Sequence, residues 1–426
     1  MRYLPIKSDF YFRNRKKMVS VMEPNSVAIF FSAPETTRNA DQFYKYRQNS
    51  NLFYLCGIDQ PKTILLIAPD NKNINMREII FVMEADEKMI IWEGHKLSIS
   101  EVRQISGVQN VFNTSEMEEK VNEVFSNSTK IYSNISNFKF KESIFEGQFE
   151  FFSKIFSNPI LQFQDIDNKL KKLRTIKSLE EIVQIRNASE VTNKAFRNVL
   201  ATKLSGFLEY QVESIITGVF HYYGCEHAYQ PIVAGGENAC VLHYIKNDCV
   251  CNDGDLLLMD FGAEYGNYAS DCSRTIPVSG KFTDRQKDCY NAVLRTFKKA
   301  RELFIPGNTI NHINKLTDKW IEEEMIKLGL FSIEDVNSQD SSKPLFRNYY
   351  MHGVSHFLGL DVHDVGDKDM PFEKGMVFTC EPGIYIREEK IGIRIENDIL
   401  VDEIPIDLMA EIPLEIEEIE KLMNMS

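Results

Sequence analysis

At 426 residues the chain is long for one domain, and the usual domain size calls for two or three units. Its 43% hydrophobic content is ample for buried cores, and a net charge of −13 with no long basic block argues against a nucleic-acid partner. The opening MRYLPIKSDFYFRNRKK lacks an apolar segment of signal-peptide length and no later run reaches about 18 apolar residues, so a cytoplasmic location with no membrane partner is expected. Eight cysteines without paired CxxC spacing read as reduced, mostly buried thiols.

In chain order, residues 8–22 read as a helix and 26–31 as a buried strand. Residues 38–57 are too polar and too mixed with aromatics for a plain core element. Strands recur at 63–68, 78–83, 89–92 and 130–133, with an amphipathic helix over 115–125, and this alternation predicts an α/β unit over residues 1–165. A second domain, 166–426, follows. There Ser178 and Glu181 form a capping box, behind which Ile182, Ile185, Val191, Phe196 and Val199 recur at helical spacing. Helices over 209–223, 283–304 and 309–329 and strands at 376–380, 383–386 and 392–401 complete it. That order predicts an antiparallel sheet covered by helices on its outer side, an α+β arrangement.

The chemistry centres on residues 256–276, LLLMDFGAEYGNYASDCSRTI. A hairpin turning at Tyr265-Gly266 sets Asp260 directly across from Asp271, with Gly262 opposite Ala269 and a hole above the acids. Opposed Cβ atoms lie roughly 4.5 to 5.5 Å apart, so two carboxylates there repel. Either one is protonated, a cation lies between them, or the acids are exposed at the ends of an edge hairpin.

Other segments offer partners, each weak alone. Arg394, Glu396 and Asp398 alternate on one strand face, where Arg394 could fork onto Glu396; taken alone they read as a surface ladder. Glu381 is held extended by Pro382, although Glu-Pro-Gly is also an ordinary turn. HGVSHFLGLDVHD brings His352, His356 and His363 into a dozen residues. It lacks the glutamate of HExxH and carries Gly353 and Gly359, so an irregular segment aiming separate imidazoles into one cavity fits better than a helical zinc pair. His243 follows a glycine loop that reads equally as a turn. Together Asp260, Asp271, His356, Glu381 and Glu396 supply four carboxylates and one imidazole, which balance two divalent cations. Such oxygen-rich ligation suits manganese, with cobalt, zinc or iron as alternatives.

LMDFGAEYGNYASDCSRT, HGVSHFLGLDVHDVG, TCEPGIYI and GIRIENDI resemble, in order and spacing, the metal and histidine motifs of the Xaa-Pro aminopeptidase (aminopeptidase P) family of pita-bread metallopeptidases, M24. TRNADQFYKYRQNSNLFYLCG is similar to that family's N-terminal domain. The resemblance implies a C-terminal pita-bread domain with a curved sheet, in which Asp260 binds one metal, His356 and Glu381 the other, and Asp271 and Glu396 bridge them. It implies that His243 and His363 hold the substrate and polarise the scissile carbonyl, that His352 lines the pocket, and that Arg394 orients the ligands. Cys272 stands where Ile or Leu is usual, with its side chain expected away from the acids.

The implied activity is hydrolysis of the bond between an N-terminal residue and a following proline. Two ions about 3.5 to 4 Å apart activate a water, and Glu381 takes its proton. A dipeptide-restricted prolidase and a catalytically dead binding module are the alternatives; methionine aminopeptidases normally lack the extra N-terminal domain. A homo-oligomer, dimer or tetramer, is also implied, with Trp92 a candidate to close a neighbouring subunit's site or to pack within its own domain.

Overall fold

Apolar runs too short for helices build the N-terminal sheet. Ser26–Phe31 and Ile64–Ile67 are buried along their whole length, as central strands covered on both faces must be. The fold is given by a computed structural model that describes residues 3–125, 128–133, 149–156 and 162–425. These fall into two units, Pro5–Arg174 and Met1–Leu4 with Thr175–Ser426.

In the first unit six strands run in the order Asn110–Asn113, Glu78–Val82, Ile64–Ile67, Ser26–Phe31, Lys130–Ser133, Gln162–Asp165. The two pairs that Ile64–Ile67 makes are antiparallel and the rest parallel, so the sheet is mixed. Val27, Ile29 and Phe31 share one apolar cluster with Met117, Val121 and Val124 of the helix Met117–Phe125. Residues 38–57 form an exposed two-stranded ribbon and then the buried helix Ser50–Cys56, capped by the Asn49 side chain. Residues 89–92, expected as a strand, lie in the helix Glu87–Glu93. A four-residue apolar run is ambiguous between the two, and the Asp86 carboxylate decides it by accepting from the Met89 N–H at 2.7 Å. Ile91 and Trp92 are left 80% exposed in this chain, so Trp92 is not packed within its own unit.

The second unit opens on the helix Leu179–Leu200, whose Ser178–Glu181 capping box is present, followed by Glu209–Tyr222, Asp284–Arg301 with its Thr283–Gln286 box, and Ile310–Lys327 capped by Thr309. Its strand pairs are all antiparallel among the described residues. Ile232–Gly235, Leu256–Asp260 and Ser273–Pro277 form one ladder; Val377–Cys380, Asn397–Leu400 and Ile406–Asp407 a second; Gly383–Ile386 and Ile391–Arg394 a third. The single strand expected at 392–401 is thus two strands. Between them the Glu396 N–H donates to Ser273 O, and the buried Arg274 guanidinium donates to Glu396 O and the Asn397 side chain. Those bonds take the polar groups that a continuous ladder would have used.

One apolar core joins Val199, Val293 and Ile321 of the helices to Leu257, Phe378 and Ile393 of the strands. Seven of the eight cysteines are buried, and Cys249 is the exposed one. Among the described residues no helix is long and apolar enough to cross a membrane.

Candidate metal centre

Period-two alternation explains why the acids meet. Leu257, Met259, Cys272, Phe378, Cys380, Ile393 and Ile395 all turn into the helix-covered core. Their neighbours Asp260, Asp271, Ser273, Thr379, Glu381, Arg394 and Glu396 therefore face the other side. Cys272 lies in the core, away from the acids as expected.

The hairpin register differs from the expected one by two residues. Asp260 pairs with Ser273, and Glu264, not Gly262, pairs with Ala269. The cause is the turn: Gly266 and Asn267 both have positive φ, 57° and 66°, the signature of a type I′ turn centred one residue later than expected. An even shift keeps every side chain on its face, so Asp260, Asp271 and Ser273 still share one. The expected hole above the acids is not open. The Tyr229 hydroxyl stands 2.6 Å from an oxygen of Asp260 and 2.6 Å from one of Asp271.

His356 arrives on the irregular segment laced beside Val377–Cys380. His356 N–H donates to Thr379 Oγ1, Thr379 N–H donates to His356 O, and Glu381 N–H donates to Val354 O. His356 Nδ1 lies 3.0 Å from Phe357 O, which fixes the proton there and turns Nε2 toward Asp271 at 3.4 Å and Glu381 at 3.7 Å. His363 packs edge-on against His356 with ring centroids 4.3 Å apart. His352 meets Tyr385 Oη at 2.8 Å and Glu381 at 3.7 Å. The glycine argument holds at Gly359, where a Cβ would come 2.2 Å from an oxygen of Asp364.

Arg394 does not fork onto Glu396. Its Nη2 donates to Asp260 at 2.6 Å, Nη1 to Tyr385 Oη at 2.9 Å, and Nε to Ser273 Oγ at 2.7 Å; Ser273 then donates to Glu396 at 2.7 Å. One guanidinium thus orders two carboxylates, the second through a hydroxyl. Ser273, two residues from Asp271, shares the acid face by alternation, and Tyr385 follows from alternation in Gly383-Ile-Tyr. Tyr229 carries no local signal, because nothing in its own segment marks it as facing the hairpin.

Asp271, His356 and Glu396 offer ligand atoms all within 4.8 Å of one another, with Asp260 and Glu381 flanking them. Burial pushes Glu396 well above the carboxylate range, and the Asp271, Glu381 and Asp260 charges add to it. Burial also raises Asp260, against Arg394, and raises Glu381 to about 7, against His356 and Arg394. Burial opposes charge on His356, but its Asp271 contact and the Glu381 charge lift it to about 9. Burial and the Arg394 charge lower His352 to about 3. Four carboxylates share one guanidinium and one imidazole, and the burial and mutual repulsion that raise Glu396, Glu381 and Asp260 would be relieved by divalent cations, which fit this donor set. His243 stands exposed on the loop after the short 3₁₀ turn Gly236–Cys240. It makes no hydrogen bond with these residues among those described, but its charge acts on His352 and His363.

Residues 183–403 match the model of metallopeptidase family M24, and residues 11–132 that of the aminopeptidase P N-terminal domain. The chain is 35% identical to the Xaa-Pro aminopeptidase of Escherichia coli (strain K12) over 96% of both, and 27% identical to Xaa-Pro aminopeptidase 3 of Homo sapiens over 97% of this chain and 85% of that one. Among solved structures, aminopeptidase P from E. coli with the inhibitor Pro-Leu aligns with a TM-score of 0.88 at 33% identity, covering 99% of both chains. Proline aminopeptidase P II from Yersinia pestis gives 0.88 at 33%, covering 99% of this chain and all of that one. The antiparallel, helix-covered unit is the pita-bread fold of these neighbours, and its donor set serves divalent metal ions: the chain belongs to metallopeptidase family M24.

Proposed function

We propose that this hydrolase is an Xaa-Pro aminopeptidase, releasing an N-terminal residue that precedes proline. In this reading Asp260 serves one ion, His356 and Glu381 the other, and Asp271 and Glu396 are shared. The observation that carries it is the convergence of Asp271, His356 and Glu396 within 4.8 Å on the face opposite the core. Manganese is the proposed ion, because one imidazole among oxygen donors matches its preference over those of cobalt, zinc or iron. When bound, two such ions supply an acidified water and stabilise the negative oxygen that develops on the attacked carbonyl.

The chain's own residues do the rest. Glu381, between His352 and His356, accepts the water's proton and passes it to the proline nitrogen, which must gain one to leave. His363 and His243 hold the substrate and polarise its carbonyl, and His352, anchored on Tyr385, lines the pocket. Arg394 and Ser273 keep Asp260 and Glu396 oriented. The exposed Ile91 and Trp92 support a homo-oligomer, dimer or tetramer, in which they are covered. The protein is expected to act in the cytoplasm.

Arg394→Lys is expected to cost roughly ten- to a hundredfold in metal affinity or activity, since one ammonium cannot reproduce a fork shared among three partners. Manganese titration checks this; an unchanged binding curve would contradict the assigned role. The function is tested on manganese-loaded protein with Ala-Pro-Ala and Ala-Pro. Cleavage of the tripeptide is expected. Activity confined to the dipeptide would replace the proposal with a prolidase, and a metal-free, inactive protein would leave a binding module.

A further inference from the structure

Glu209, the first residue of the helix Glu209–Tyr222, is fully buried and has no part in the chemistry above. Its carboxylate accepts four hydrogen bonds, all from the segment 235–249. Gly235 N–H at 2.7 Å and the Asn238 amide at 3.0 Å donate to Oε1; the Tyr244 hydroxyl at 2.7 Å and Cys249 N–H at 2.9 Å donate to Oε2. The two backbone donors stand at the two ends of that segment and the two side-chain donors within it. The Glu209 N–H in turn donates to Cys249 O. Glu209 lies near Asp248 and Cys249, but with both oxygens taken and Asp248 paired to Lys246 at 2.7 Å, the group is not a second metal site.

The segment closed by these bonds carries His243, next to Tyr244. Its other wall is set by Gly392, where a Cβ would strike Ala239 O at 2.4 Å, so the 3₁₀ turn packs directly on the strand bearing Arg394. We propose that Glu209 is a positioning residue of the reaction: through Tyr244 and the two ends of the loop it sets where His243 meets the substrate. This rests on the role given to His243 above. A buried carboxylate suits the task because four charge-assisted bonds to one group tie distant loop positions together, and losing any of them leaves a buried acceptor or donor short.

The test uses Tyr244→Phe, which removes the hydroxyl's bond to Glu209 and the one it accepts from the Asn238 amide with little change in volume, alongside Glu209→Gln, compared once circular dichroism shows that it folds. Both are assayed with Ala-Pro-Ala on metal-loaded protein. Tyr244→Phe is expected to lower kcat/KM roughly tenfold, mostly through KM, with metal content unchanged. In a His243→Ala background it is expected to have no further effect. An equal loss in both backgrounds, or none in the wild-type background, would overturn the positioning role. A His243→Ala protein as active as the wild type would instead refute the role of His243 itself, a separate outcome.

Discussion

Asp271→Ala is expected to release both ions and to lower activity roughly a thousandfold, about 4 kcal/mol of transition-state stabilisation at 1.36 kcal/mol per tenfold. Asp260→Ala is expected to retain one ion per chain. The difference follows from where each carboxylate is held. Asp271 lies 5% exposed, with one oxygen 3.4 Å from His356 Nε2, and it groups with His356 and Glu396. Its backbone N–H is fixed by Asp398 at 3.2 Å. Asp260 has one oxygen committed to Arg394 and the other to Tyr229. Removing it frees Arg394 to reorient, whereas removing Asp271 takes away the carboxylate that meets both His356 and Tyr229. Metal per chain, measured by atomic emission after gel filtration, distinguishes the two. Equal loss in both variants would sink the division of labour.

What the sequence made legible was local, or periodic. The Ser178 and Thr283 capping boxes lie within one turn and were readable from four residues each. The four acids proposed as ligands were readable because alternation puts each beside a core residue, and an even register error could not move Asp260 and Asp271 to the wrong face; His356, on an irregular segment, was readable only from its cluster of histidines. The turn itself was misplaced by one residue although the sequence held the better signal: a type I′ turn needs positive φ at both centres, which Gly266 and Asn267 take and which a bulky Tyr265 disfavours. What stayed hidden depends on approach across the fold. Tyr229 reaches Asp271 from outside the hairpin, and Ser273 links Arg394 to Glu396 across two sheets. The break at Ile395-Glu396 arises because Arg274, distant in sequence, claims the backbone there.

Gly262→Ala is expected to lower the stability of the metal-free protein by about 3 kcal/mol or more, the upper range for overpacking. The reason is space and not backbone conformation. An added Cβ would lie 1.8 Å from the Ser270 carbonyl oxygen, 2.7 Å from its carbon and 3.1 Å from the Tyr229 ring. Backbone cannot step aside as a flexible side chain can. The two strands would have to part where the Ser270 N–H bonds Ala263 O and where Thr192 Oγ1 and Ser270 Oγ, 2.8 Å apart, both accept from Ala263 N–H. Opening that crossing also moves Asp260 from Asp271, so metal per chain should fall together with the thermal midpoint. Gly218→Ala is the control: it lies within the helix Glu209–Tyr222 with nothing within 4 Å of the added Cβ, and it should hold or gain roughly 0.5 to 1 kcal/mol. If Gly262→Ala melted with the wild type and kept both ions, the close crossing would not be what sets the two acids beside each other.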